Sequence, residues 1–320
     1  MSKVSVIGVG DVGATAAYTL QMSGLATEIV LVDMDRTKAE GHAMDMSHGL
    51  FFVPPVEIRA GGYDDCAGSQ AIVVTAGARQ RPGESRLELT KRNAAICRSL
   101  VDGLKPHVGD AVLLVVSNPV DVMTDVAQER SGLPPGRVFG SGTVLDSARF
   151  RYELSRTCGV DARNVHAYVV GEHGDSEVFL WSQVHIAGTP IEAFCGGCSH
   201  ACVPGDAAAS LEAARTAIET RVRGSAYHVI ESKGFTNYAV SLAVLRILGA
   251  LLRDESSALT VSTRVGGEYG LSGVCLSVPC IVGARGVERI IEGRLADGER
   301  AALARSADVI RKATDGVREG

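Results

Sequence analysis

The sequence predicts an α/β fold in which a doubly wound parallel sheet is followed by an α+β half. Three observations carry that reading. Short apolar runs alternate with helix-patterned segments as far as about residue 140. A glycine-rich turn follows the first apolar run directly. After about Ser141 the alternation gives way to a different texture.

Each element has its own warrant. "KVSVIGVG" reads as a buried strand, and "DVGATAAYTLQMSG" as a helix ending at Gly24. "EIVLVDMD" is the next strand and "TKAEGHAMDMSHGL" the next helix. Then come the strand "QAIVVTAG", a helix through "LELTKRNAAICRSLVDGLK" and the strand "AVLLVVSNP". Such alternation implies βαβ units on a parallel sheet, with helices on both faces. In the second half, the helix "TVLDSARFRYELSRTCG" leads to strand-like "NVHAYVVG" and "SQVHIAGTPI". A helical region from about Asp206 to Arg253 breaks near Lys233. Strands at "LTVSTRVGG" and "GVCLSVPCIVG" precede an amphipathic C-terminal helix. The reading gives one domain over 1–142 and a second, packed on it, over 143–320, with no flexible linker or repeat.

Composition bounds the function. At 320 residues, 46% hydrophobic and 22% charged, the chain can bury a large core. A net charge of −5 disfavours nucleic acid or an anionic membrane as partner. No apolar run reaches the length of a membrane span. Gly8, Gly10 and Asp11 interrupt the N-terminal apolar stretch too early for a signal peptide, so the expected compartment is the cytoplasm. Eight cysteines then read as reduced thiols, with Cys66, Cys97, Cys158, Cys275 and Cys280 as small core residues. "CGGCSHAC", Cys195 to Cys202, packs its Cys and His200 too tightly for the usual tetrahedral zinc spacing. It reads as an incidental surface loop, and no metal is expected.

Gly8-Val9-Gly10-Asp11-Val12-Gly13 fits G-x-G-x-x-G after a strand and before a helix. The glycines permit a tight turn, close approach of backbone to a pyrophosphate, and close helix–strand packing. Asp33 ends the second strand at the spacing where an acid binds a ribose 2′-hydroxyl. An acid there repels a 2′-phosphate, which favours NAD over NADP.

Three further stretches carry polar groups that a packed core would not choose. They are "VVSNPVDVM" (Asn118, Asp121), "TVLDSARFR" (Asp146, Arg149, Arg151) and "VVGEHGDSEV" (His173, Asp175). Asp146 and Arg149 share a helix face, and His173 sits in a Gly-flanked turn after an apolar strand. A lone His in a turn, or a lone Asp/Arg pair on a helix, is ordinary surface chemistry. The constellation is not.

In their order and spacing, "SNPVD", "LDSARFR", "GEHGDS" and the glycine turn resemble the L-lactate/malate dehydrogenase family, nearly end to end. That resemblance implies a Rossmann cofactor domain and reversible hydride transfer between NAD(H) and a 2-keto or 2-hydroxy acid. It implies His173 as the proton carrier, Asp146 as its orienting carboxylate, and Arg86 as the loop cation that polarises the ketone. Arg149 suits bidentate capture of the substrate carboxylate. The resemblance also implies that Asn118 bridges the cofactor and substrate regions. The resemblance also places Val12, Lys38, Tyr63, Gly77, Ala78, Ser99 and Ser141 around the cofactor.

The loop "GARQRPGESR" holds a neutral Gln80 among arginines. In the family, the position two before the Pro-Gly discriminates substrates: malate enzymes place Arg there and lactate enzymes usually Gln. Pro82-Gly83 sets the register, so the position is Gln80. An Arg closed over the methyl of pyruvate would lack a counter-charge, costing several kcal/mol, on the order of a broken buried pair. Glu84 also resembles the lactate-type loop, and Thr236 the position that narrows the pocket around the methyl. L-lactate dehydrogenase chemistry is therefore expected. Another 2-keto acid, or a non-catalytic NAD-binding role, are the alternatives.

Arg151 stands two residues after Arg149, and His166 seven before His173. In allosteric bacterial members such residues line a fructose 1,6-bisphosphate site between subunits. The resemblance thus implies that effector and a homotetramer in fermentative glycolysis. The chain opens directly on its first strand, without the N-terminal arm of the animal enzymes, which fits the bacterial type.

Overall fold

The computed structural model describes residues 2–81, 83–197 and 207–318. Its first half alternates as the apolar runs require. Strands β1 (Lys3–Ile7), β2 (Glu28–Val32), β3 (Glu57–Ala60), β4 (Ala71–Val74), β5 (Val112–Val115) and β6 (Val138–Gly140) are joined in part by helices α1 (Asp11–Ser23), α2 (Arg36–His48), α3 (Arg86–Leu104) and α4 (Val120–Ser131). The six strands run parallel in the order β3-β2-β1-β4-β5-β6. The order reverses between β1 and β4, which opens a crevice at their C-terminal ends. β4 and β5 are buried at every residue, because helices cover both sheet faces. Leu114, fully buried on β5, anchors this core; truncation to Ala there costs about 2–5 kcal/mol.

The second half begins with α5 (Val144–Cys158). Short strands β7 (Val165–His166), β8 (Val169–Val170), β9 (Val178–Phe179), β10 (His185–Ile186) and β11 (Thr189–Pro190) follow, then α6 (Ile191–Gly197), α7 (Ala207–Lys233) and α8 (Tyr238–Leu252). Long strands β12 (Ser257–Gly266) and β13 (Ser272–Gly283), strand β14 (Gly286–Ile290) and helix α9 (Asp297–Arg318) complete the chain. β12 meets β6 antiparallel at Ser262–Gly140, so β12, β13 and β14 extend the first half's sheet to nine strands. The two halves therefore share one sheet as well as packing against each other.

Two predicted strands divide. "NVHAYVVG" splits into β7 and β8, which join different sheets. Ser147 on α5 explains the break: its hydroxyl accepts from the Val169 N–H at 2.9 Å and substitutes for a ladder partner. "SQVHIAGTPI" is a hairpin, β10 against β11, turned by Ala187 and Gly188, both at positive φ. β3, β6 and β14 are missing from the sequence reading; β6 has only three residues, and β3 ("EIRA") and β14 ("GVERI") are charged edge strands.

Candidate active site

The glycine turn is built by close contacts. Gly8 ends β1 at φ 92°, and a Cβ there would stand 2.6 Å from the Ala76 nitrogen beyond β4. A Cβ on Gly13 would stand 1.8 Å from the Gly8 carbonyl, so only glycine lets α1 start this close to the sheet. Gly10 differs: a Cβ there meets nothing within 4 Å. Backbone at a helix N-terminus thus faces open space, which fits an anionic pyrophosphate. Asp33 follows β2, its Oδ2 accepting from Val9 N at 2.7 Å and its Oδ1 from Asp35 N at 3.0 Å. This is the acid-bearing cradle that a dinucleotide needs. Asp11 adds a negative charge to the first turn of α1, and Arg79 pairs with it.

The remaining cofactor candidates are spread along the crevice side of the parallel sheet. Val12 lies in the first turn of α1, and exposed Lys38 in the first turn of α2. Gly77 and Ala78 follow β4, and Ala78 N donates to Asn93 Oδ1 at 2.8 Å. The Tyr63 ring lies against Gly103 of α3, one turn beyond exposed Ser99. Ser141 follows β6, its N–H bonded to Val115 O at 2.8 Å.

A cavity of about 530 Å³ gathers Gln80, Arg86, Asn118, Asp146, Arg149 and His173 on one wall system. Thr236, in the bend between α7 and α8, does not line it. The centre is the first turn of α5. Asp146 is 3% exposed, and its two oxygens divide between partners. Oδ1 accepts from Arg149 Nη1 at 2.8 Å, and Oδ2 lies 2.5 Å from His173 Nδ1. With Nδ1 engaged, Nε2 is the nitrogen left for a ligand. His173 follows β8, where its backbone N–H donates to Asp121 Oδ2 at 2.8 Å. Ser262 Oγ holds the other Asp121 oxygen at 2.6 Å. Asp121 was legible as a polar residue without a role; here it braces the turn that presents His173.

Charge follows geometry. The Asp146 carboxylate raises His173 from its ordinary 6.5 to about 9, against burial, which lowers it. Burial pushes Asp146 up, but the His173 and Arg149 charges outweigh it and hold the carboxyl below its usual range. Burial pushes Asp121 up to about 6.

The loop is exposed by contrast. Arg86 opens α3 behind a capping box made by Ser85 and Glu88. Its guanidinium, 76% exposed, reaches Asp175 at 3.2 Å and the Tyr227 hydroxyl at 3.0 Å. Tyr227 in turn donates to Asp175 at 2.8 Å. Gln80 donates through Nε2 to the Glu84 carbonyl at 2.7 Å. Glu84 serves as the loop's clasp: its carboxylate accepts from Arg81 N at 2.8 Å and from Arg92 at 3.1 and 2.8 Å. Pro82, which set the register, lies outside the described residues.

Sequence reasoning missed Glu177, Arg223 and Tyr227, which also line the cavity. The last two lie on α7, whose even mixture of charge and apolar residues marks no site. Asp175, polar in the sequence without a predicted partner, pairs with Arg86 and Tyr227. Arg151 and exposed His166 line a second cavity, of about 420 Å³, beside Tyr168 and Arg246. Arg151 donates to Ala167 O at 3.0 Å and stacks over the Tyr168 ring. Of the Cys-rich loop, Cys198, His200 and Cys202 lie outside the described residues. The five cysteines read as core residues are buried. Among the described residues no helix is long and apolar enough to cross a membrane.

Comparison with known proteins agrees with this geometry. Residues 2–140 match the model of the lactate/malate dehydrogenase NAD binding domain, and residues 143–319 that of the family's alpha/beta C-terminal domain. A curated L-lactate dehydrogenase from a Thermoanaerobacter species is 52% identical over 97% of each chain. One from Acetivibrio thermocellus is 49% identical over 98% of this chain and 96% of its own. A solved lactate dehydrogenase from a Medee basin deep-sea metagenome library superposes with a TM-score of 0.94 at 40% identity, covering 99% of both chains. The minor L-lactate dehydrogenase of Enterococcus mundtii gives 0.94 at 36% identity, over 100% of this chain and 99% of its own. Both halves, the glycine cradle and the His173–Asp146–Arg149 centre thus converge, and the chain belongs to the lactate/malate dehydrogenase family.

Proposed function

We propose that the chain is an NAD-dependent L-lactate dehydrogenase, interconverting pyruvate and lactate. One observation carries the reading: a His–Asp–Arg centre built on the buried Asp146 and a neutral Gln80 border the same cavity. Residues 1–142 form the cofactor half and 143–320 the substrate half of this proposal.

The bound nicotinamide supplies or accepts the hydride. The chain does the rest. Arg149 is placed to hold the substrate carboxylate through the guanidinium edge that Asp146 leaves open. His173 Nε2 gives a proton to the ketone oxygen as pyruvate becomes lactate, and takes it back in reverse. Asp146 keeps the ring oriented and favours its charged form. Arg86 exchanges its Asp175 and Tyr227 contacts for the ketone oxygen as the loop closes, which expels water. Asn118 joins the cofactor and substrate ends, and Thr236 approaches the substrate methyl on closure. Gln80 faces that methyl and leaves no buried charge without a partner. Parallel NADH-oxidation assays with pyruvate and oxaloacetate test this. Pyruvate preferred by about a hundredfold or more, several kcal/mol in kcat/KM, is the expected result. Equal rates, or none with either, would reject it.

The same proposal places the enzyme in the cytoplasm, as a homotetramer serving fermentative glycolysis. Arg151 and His166 line a cavity whose cations suit a sugar bisphosphate shared between subunits. Fructose 1,6-bisphosphate then lowers the pyruvate concentration at half-saturation. An unchanged saturation curve and oligomer size on its addition would remove this part alone.

A further inference from the structure

Glu177 is the unusual group in the cavity wall. It follows the His173 turn, directly before β9, and is 5% exposed. Its Oε1 is buried without a hydrogen-bond partner. An unpaired carboxyl costs free energy in such a place and is retained only where something offsets it. Arg223 lies beside it on α7. Nη2 of Arg223 donates to the Glu177 carbonyl at 3.1 Å, Nη1 pairs with Glu219 at 2.9 Å, and its plane covers the Phe179 ring at 4.7 Å. The Arg223 Nε is itself buried and unpartnered. Both residues share the cavity with His173, Asp146 and Arg149.

We propose that Glu177 is a positioning residue for the proton-carrying pair: its carboxyl, buried in the same cavity wall with Oε1 unpartnered, sets through space the charge balance of His173 and Asp146. The proposal rests on the reading of His173 as proton carrier. Its electrostatics have a definite sign. Burial, then the Asp146 charge, push Glu177 up to about 8, while Arg223, His173 and Arg149 oppose. At neutral pH its neutral form predominates, so only Asp146 presents a full negative charge to His173 from this wall. As pH rises through about 8, Glu177 ionises, and its charge favours the protonated imidazole. The charged and titratable groups facing this cluster are Asp146 and Arg149 from α5, Arg223, Glu219 and Tyr227 from α7, Arg86 from α3, Asp121 from α4, and Glu172 and Asp175 from the turn itself. Glu177 shares that intermediate range with Asp121, at about 6, but lies nearer the His173 value of about 9. It thereby extends the alkaline range over which His173 stays a proton donor.

The experiment is a pH profile of pyruvate reduction for the wild type, E177Q and E177D, with the His173 imidazole titrated in each by NMR. The proposal expects the alkaline midpoint of kcat/KM to fall by at least about half a pH unit in E177Q, with the NMR titration falling alongside, and E177D to recover part of it. Infrared difference spectra of the wild type should show a protonated carboxyl lost near pH 8. That readout remains if E177Q does not fold. An unmoved imidazole titration in folded E177Q, or no such carboxyl band, would overturn the proposal. An inactive wild type with a normal His173 titration would instead strike the lactate dehydrogenase reading.

Discussion

The α5 centre and the Arg79–Arg86 loop border one cavity but are built in opposite ways. In the centre, Asp146 is buried, touches two cations within 2.8 Å, and leaves no oxygen idle. In the loop, Gln80 and Arg86 are exposed and hold only local or surface partners. The first arrangement is organised before any ligand arrives, so the proposed proton carrier and carboxylate anchor need little reorganisation. The second is free to exchange partners, which a selecting element must do. The proposed function thus separates chemistry and choice of substrate between a rigid wall and an exchangeable one.

Breaking the rigid wall should have the largest effect. H173N removes the proton carrier, and pyruvate reduction should fall roughly 100- to 10,000-fold in kcat while circular dichroism stays native. A residual rate near wild type would place the proton elsewhere. D146N removes the charge that holds His173 near 9. Breaking one side of a buried pair costs about 3–5 kcal/mol, so the unfolding midpoint in urea should drop clearly.

The same pair ties stability to pH. His173 is raised from 6.5 to about 9, so its contribution is complete below about 6.5 and is lost as pH climbs through about 9. Asp146 is held low, so its contribution is present above the ordinary carboxylate range and fades as pH falls below it. Unfolding midpoints from pH 5 to pH 10 should decline on the alkaline side in the wild type and flatten there in D146N. Parallel curves would show that the pair does not govern alkaline stability.

Loosening the exchangeable wall should cost less. E84Q weakens the clasp from Arg92 and Arg81 N. KM for pyruvate should rise several-fold, with kcat nearly kept. A fall in kcat with KM unchanged would place Glu84 in the reaction rather than in the loop.

The sequence disclosed these two walls unequally. Asp146 and Arg149 were legible as a pair because their spacing fixes a shared helix face, and His173 because it stands in a Gly-flanked turn after an apolar strand; their roles came from the family resemblance. The parallel sheet was legible because β4 and β5 are unbroken apolar runs. Glu177 and Arg223 were not, because nothing local distinguishes a buried acid after a turn, or an arginine on a mixed helix, from a solvated one. Glu84 resembles a mark of substrate type in the sequence; its contacts also make it a clasp, and its Arg92 partner lies on α3, beyond any loop motif. β3, β6 and β14 escaped because short or charged edge strands lack the apolar alternation that announces interior ones.

The central claim is that an uncharged side chain at position 80 selects a monoacid over a diacid. Its most direct test is the ratio of kcat/KM for pyruvate to that for oxaloacetate in the wild type and in Q80R. The account predicts a swing toward oxaloacetate of roughly a hundredfold or more, the scale of one uncompensated buried charge. A ratio that stays where the wild type leaves it would contradict the account.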